Sequence, residues 1–78
     1  MMEYKCGYLA KSLAGHDKDR VYMIMKEEGE YVFLSDGKIR AIDKPKKKKK
    51  KHIQVICKEH DTADISDADI RKIVREFS

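Results

Sequence analysis

Residues 46–51 are six consecutive lysines, preceded by Lys44 and Pro45, and no regular element takes such a run without cost. Side chains alternate between the two faces of an extended strand, so a half-buried strand here pushes every second ammonium toward the core. In a helix, ammoniums at i and i+4 lie side by side and repel. Pro45 has no N–H to give to a sheet ladder, so it ends a strand or marks an edge. The sequence therefore predicts a solvated, Lys-rich loop over residues 44–51, with folded segments on either side of it.

Charge is distributed as unevenly as the run suggests. Of 18 basic residues, seven are Lys44 and the run, and the remaining 11 face 14 aspartates and glutamates. A single-sign patch in an otherwise acidic small protein concentrates a counter-charged partner, and a polyanion such as nucleic acid fits first. Extended, residues 44–51 span ~25 Å and track several phosphates, contacts that hold a partner without reading its sequence. The run also looks like a nuclear localisation signal or a lipid-binding polybasic loop. Neither accounts for the loops described below.

With 78 residues, the chain makes one domain with a small core, hiding only ~60% of the surface its unfolded form exposes. Charged and hydrophobic residues each make up 41%, with four tyrosines, two phenylalanines and no tryptophan, which fits one compact module with polar appendages. The start, Met1-Met2-Glu3-Tyr4-Lys5-Cys6, lacks the basic opening and apolar run of a secretory signal. No segment approaches the ~20 apolar residues of a membrane span. A soluble, cytoplasmic protein with no membrane partner is expected. Cys6 and Cys57 are too few for a disulfide framework and form no C-x-x-C pair, so reduced thiols are the default.

Before the run, apolar and aromatic residues over 4–10 read as a first strand, with a bulge or close approach at Gly7. Residues 20–25 read as a second strand and 31–34 as a third. Asp36-Gly37 signals a tight hairpin into a fourth strand over 38–42. After the run, alternation resumes with Ile53 and Val55 on one face and Gln54 on the other, a fifth strand over 52–56. Ser66 and Asp69 have the spacing of a capping box, and Ile65 and Ile70 that of a hydrophobic staple. Ile70, Ile73, Val74 and Phe77 then follow i, i+3, i+4, i+7, predicting an amphipathic helix over 67–77. Five short strands and one helix suggest a small barrel, which removes exposed sheet edges, with the helix on one face or end. The division expected is a barrel over residues 1–58 and a linker with the C-terminal helix over 59–78.

Residues 7–24 resemble a KOW motif, in which a strand leads through a loop with a glycine and a basic residue into a second strand. Gly15 and Lys18 match those two positions. The likeness is to small bacterial KOW-domain RNA-binding proteins similar to an archaeal and eukaryotic large-subunit ribosomal protein. It is carried by the loop Ser12-x-Ala14-Gly15-x-Asp17-Lys18, the hairpin Ser35-Asp36-Gly37-Lys38-x-Arg40 and the Pro-Lys-rich stretch from Pro45 to His52. Asp19 stands where the family commonly has a second glycine, and aspartate enters the left-handed region less freely. The resemblance implies an SH3-like barrel, no catalytic activity, and binding to structured RNA, often ribosomal RNA.

The residues expected to meet RNA are Lys11, Gly15, Lys18, Arg20, Lys38, Arg40 and Lys44, then Lys46, Lys47, Lys48, Lys49, Lys50 and Lys51, and finally His52. Arg20 and Arg40 stand out because a guanidinium forks onto phosphate and stacks on bases. Phe33 and Phe77 are expected in the core, while Tyr8 and Tyr22 are placed to expose a ring edge to a base. Cys6, His52, Cys57 and His60 are the one plausible metal set: Cys57-x-x-His60 is a possible ligand pair, but the second pair has no recognisable zinc-site spacing, and no metal or cofactor is expected. No G-x-S-x-G, phosphate-binding glycine loop or H-E-x-x-H appears. The expectation is a monomeric, non-enzymatic RNA-binding protein linked to the ribosome or translation, with ribosomal proteins as possible neighbours. A protein-interaction adaptor using the barrel and helix face is the alternative.

Overall fold

The computed structural model describes residues 3–58 and 62–77. Its strands are β1 (Leu9–Ser12), β2 (Val21–Glu28), β3 (Tyr31–Ser35), β4 (Lys46–Lys49) and β5 (Ile53–Cys57), followed by helix α1 (Asp67–Glu76). All pairings are antiparallel, in the order β4-β3-β2-β1-β5. Consecutive strands β4 and β5 thus lie at opposite ends of that order. In a flat sheet such edges are about 19 Å apart. The connection between them is the 3-10 turn Lys50–His52, and four Cα steps reach at most about 14 Å. The sheet must therefore curl until its edges approach, and the result is a small, mostly β, SH3-like barrel. Register shifts next to Ala10 and at Met25 help it bend.

The unbroken burial of Val21, Tyr22, Met23 and Ile24 follows from this curling. Tyr22 and Ile24 point into the barrel with Ala10, Val32, Leu34 and Ile53. Val21 and Met23 point outward, where they pack with Leu9 against Ile70 and Val74 of α1. The helix is the lid of that second layer. Ser66 caps it: its Oγ accepts from the Asp69 N–H at 3.2 Å, and the Asp69 carboxylate accepts from the Ser66 N–H at 3.0 Å. Ile65 packs in the same cluster as Ile70, as a staple requires.

Two expected elements are corrected. The segment 38–42 is not a strand. The Asp36 carboxylate accepts the N–H groups of Lys38 and Arg40, each at 2.9 Å, and Ser35 Oγ donates to the Arg40 carbonyl at 2.6 Å. Local side-chain bonds have taken the groups a ladder would use. The fourth strand is instead made from the lysines, with Pro45 just before its start. Residues 4–8 are likewise turn and irregular chain ahead of β1, although Gly7 N–H donates to the Ile24 carbonyl at 2.8 Å. Phe77 ends the helix 42% exposed, outside the core expected for it.

Gly37 is where the 36–40 loop meets α1. Its φ is +71°, and a Cβ there would run into the Asp67 carbonyl oxygen and lie 2.8 Å from Arg71 N. Asp67 also accepts from the Ile42 N–H at 2.8 Å. Gly37→Ala should therefore cost about 2 kcal/mol or more, combining a left-handed residue with a backbone clash. Ser66→Ala should cost ~1 kcal/mol through the lost cap. Urea unfolding should show both as lower midpoints with unchanged slopes.

Candidate nucleic-acid interface

The loop between β1 and β2 is a knot of turns around one carboxylate. Lys18 N–H donates to the Gly15 carbonyl at 3.2 Å, Arg20 N–H to Asp17 at 2.9 Å, and Asp19 N–H to Ser12 at 2.8 Å. Gly15 has φ +85° and Asp19 φ +73°, so the aspartate occupies the left-handed conformation itself. These turns aim the Asp17 side chain inward, where it is 8% exposed. It accepts from Ser12 Oγ at 2.9 Å, Tyr22 OH at 3.2 Å, Lys46 Nζ at 2.7 Å and Lys48 Nζ at 2.8 Å. Lys48 also donates to the Ala14 carbonyl at 2.9 Å.

Burial by itself favours the neutral acid, but the hydrogen bonds from Lys46, Lys48 and Ser12 outweigh it and hold the Asp17 carboxyl well below the usual range. For Tyr22, burial and the neighbouring Asp17 charge push the phenol up to about 12, so it stays a proton donor. The lysine run is therefore not the solvated loop its composition suggests. Lys46 and Lys48 pair with Leu34 and Val32, both barrel-interior residues, so they lie on the inner face of β4. Their aliphatic stems cover the barrel's edge and their ammoniums reach one shared counter-ion, leaving the side chains 27% and 10% exposed. The desolvation cost that argues against a lysine strand applies to unpaired charge, and here the charge is paired.

Lys47 and Lys49 lie on the outer face, opposite Phe33 and Tyr31. Lys50, in the 3-10 turn, pairs with Glu27, and its ammonium sits 5.1 Å above the Tyr4 ring. Among the described residues, Lys47, Lys49 and Lys51 have no carboxylate partner. Phe33 is half-buried on the outer face, contrary to the core role expected for it, and Tyr22 is core. Tyr8 packs against the inner cluster and its hydroxyl donates to Glu3 at 3.1 Å.

Two loops singled out in the sequence meet in space. His16, Asp17 and Arg20 from the first, and Asp36, Ile39 and Arg40 from the second, line a shallow cleft of about 220 Å³ together with Lys46 and Tyr22. Ile39 stands 68% exposed at its rim. Beyond the 36–40 loop, a second concavity is lined by Lys38, Arg71 and Arg75 with Asp36 and Val74. Arg71 and Arg75 were not among the expected contacts. Arg75 lies in the last turn of α1, where positive charge suits the helix dipole, and only the packing of α1 beside Gly37 brings both arginines to this surface.

Lys11, Gly15, Lys18, Lys44 and His52, expected with Arg20 and Arg40, line neither concavity. Lys18 and Lys44 are exposed. Lys11 pairs with Asp19 at 3.7 Å, and the His52 carbonyl accepts from Leu13 N–H at 2.8 Å. Of the possible metal set, His60 lies outside the described residues. No group of three metal-ligating side chains occurs among the described ones.

Alternation along β4 makes a sharp stability prediction. Lys48→Gln should cost about 2 kcal/mol, because it strips a buried carboxylate of a partner, while Lys49→Gln should stay within about 0.5 kcal/mol. The pH dependence has a definite sign. Asp17 is more acidic folded than unfolded, where its value is about 3.9. Its contribution is therefore complete above about pH 5 and is lost as the pH falls below that toward the folded value. Urea midpoints of the native chain and Asp17→Asn should converge on acidification. A constant gap would exclude the pairing.

No family model matches the chain, and a search of curated proteins finds no match to it.

Proposed function

We propose that this chain is a non-catalytic RNA-binding protein of the KOW type that grips structured RNA through its backbone phosphates. The observation that carries the reading is the meeting of loop 15–20 and loop 36–40 at one cleft. Arg20, Arg40 and Lys46 line that cleft, and the outward lysines of β4 lie on the strand Lys46 begins. Arginine supplies a planar fork for phosphate oxygens, and lysine supplies mobile point charge. Lys46 and Lys48 already share Asp17, so the grip falls to Arg20 and Arg40 with Lys47, Lys49 and Lys51. Lys38, Arg71 and Arg75 extend the basic surface on the far side of the 36–40 loop.

A rigid mount gives this charge its value. Free lysines on a tail lose side-chain and backbone freedom on binding, whereas ammoniums on a paired strand have already lost the backbone share. On this reading ribosomal RNA is the first partner to test, and the protein works as a monomer in the cytoplasm within a translation-linked particle.

Five phosphate contacts would give a log-affinity slope of about −3.5 against log salt for a single strand. Replacing Lys47, Lys49 and Lys51 by Gln should flatten it by about 2 while leaving the melting transition in place. Fluorescence polarisation with labelled ribosomal RNA fragments measures both. If the protein shows no shift with such fragments in low salt, and purifies without absorbance near 260 nm when nuclease is omitted, the RNA reading fails and the adaptor reading takes its place.

A further inference from the structure

The outer face of the barrel is covered over only part of its width. Helix α1 packs on Leu9, Val21 and Met23 of β1 and β2, and the outer residues of β3 and β4 lie beyond that cluster. Tyr31 and Phe33 stand there two positions apart on β3, both half-buried. Lys49 and Lys47 face them from β4. The Lys47 ammonium sits 4.3 Å from the Tyr31 ring centroid and that of Lys26, on β2, 5.7 Å from the Phe33 ring. Two aromatic rings thus lie side by side on a rigid sheet, flanked by cations.

We propose that this strip is a stacking platform for two unpaired bases of single-stranded RNA, with Tyr31 and Phe33 taking the bases and Lys47 and Lys49 the adjoining phosphates. The proposal rests on the RNA-binding reading above and adds what kind of RNA is held. Residues i and i+2 of a strand are about 6.8 Å apart, roughly twice the 3.4 Å step along a stacked duplex strand. The pair of rings therefore fits an extended strand with its bases separated, and a duplex cannot present bases that way. Stacking on an aromatic ring outweighs an exposed cation–π contact, so an arriving base displaces the ammonium from the ring. The displaced lysine then meets the phosphate of the same nucleotide. Glu28, opposite Tyr31 and paired with Lys26 at 3.2 Å, repels a phosphate on the β2 side. The backbone path is thereby set along β4.

The test uses the full chain and three labelled probes: a uridine 12-mer, an abasic ribose-phosphate 12-mer and an RNA duplex of that length. The native protein should bind the uridine strand about a hundred-fold more tightly than the abasic one, about ten-fold for each stacked base. Tyr31→Leu and Phe33→Leu keep apolar cover on the strand, so circular dichroism should not change. Each should lose about ten-fold for the uridine strand, nothing for the abasic one, and keep the salt slope. Phe33→Trp should show emission quenched by the uridine strand alone. Equal binding of the uridine and abasic strands, or leucine variants that bind like the native chain, overturns the platform and leaves the phosphate grip standing. Absence of binding to all three probes and to ribosomal RNA fragments overturns both. Tighter binding to an acidic peptide of matched charge overturns the platform in favour of a protein partner.

Discussion

One carboxylate makes the rest of this structure possible. Asp17 takes an ammonium on each of its oxygens, from Lys46 and Lys48, and a hydroxyl from Ser12 and from Tyr22. Without it, the inner face of β4 would hold two cations against the apolar side chains of Val32 and Leu34, a cost of several kcal/mol per unpaired ion. With it, the lysines complete the barrel: their stems shield apolar surface and their heads tie β4 to the loop between β1 and β2. The same contact joins residues nearly thirty positions apart in the chain, which is why a loop and an edge strand of different origin hold a common surface.

That arrangement sorts the charge. A run of identical residues has no internal distinctions in sequence, yet a strand gives its members two faces and a turn gives others a third direction. Lys46 and Lys48 become structural cations, Lys50 pairs with Glu27, and Lys47, Lys49 and Lys51 are left without a carboxylate partner among the described residues. An edge strand of outward lysines also resists pairing with a second copy. The basic surface of the protein is thus smaller than its composition suggests, and better placed.

Where local chemistry acts alone, the sequence was legible. The cap at Ser66, the staple of Ile65 on Ile70, the alternation at Ile53 and Val55 and the long apolar run of β2 all appear as the spacing predicts. The strand expected over 38–42 failed because Asp36 and Ser35 bond the backbone locally, and turn chemistry of that kind outcompetes a short ladder. Phe33 was misplaced for a different reason. Its face of β3 is outward, but whether an outer face is covered depends on where α1 lies, and α1 covers the neighbouring strands.

The sequence by itself determined a mostly β module with one C-terminal helix, the capped start of that helix, and the two loops whose glycines turn the chain at Gly15 and Gly37. Only the tertiary structure decided that the lysine run is a strand, which of its charges are neutralised, and that Arg71 and Arg75 of the helix face the 36–40 loop. The physical reason is the same in each case. Local propensities and turns are settled among neighbours in sequence, whereas the cost of burying an ammonium depends on whether a counter-ion from elsewhere in the chain arrives to meet it.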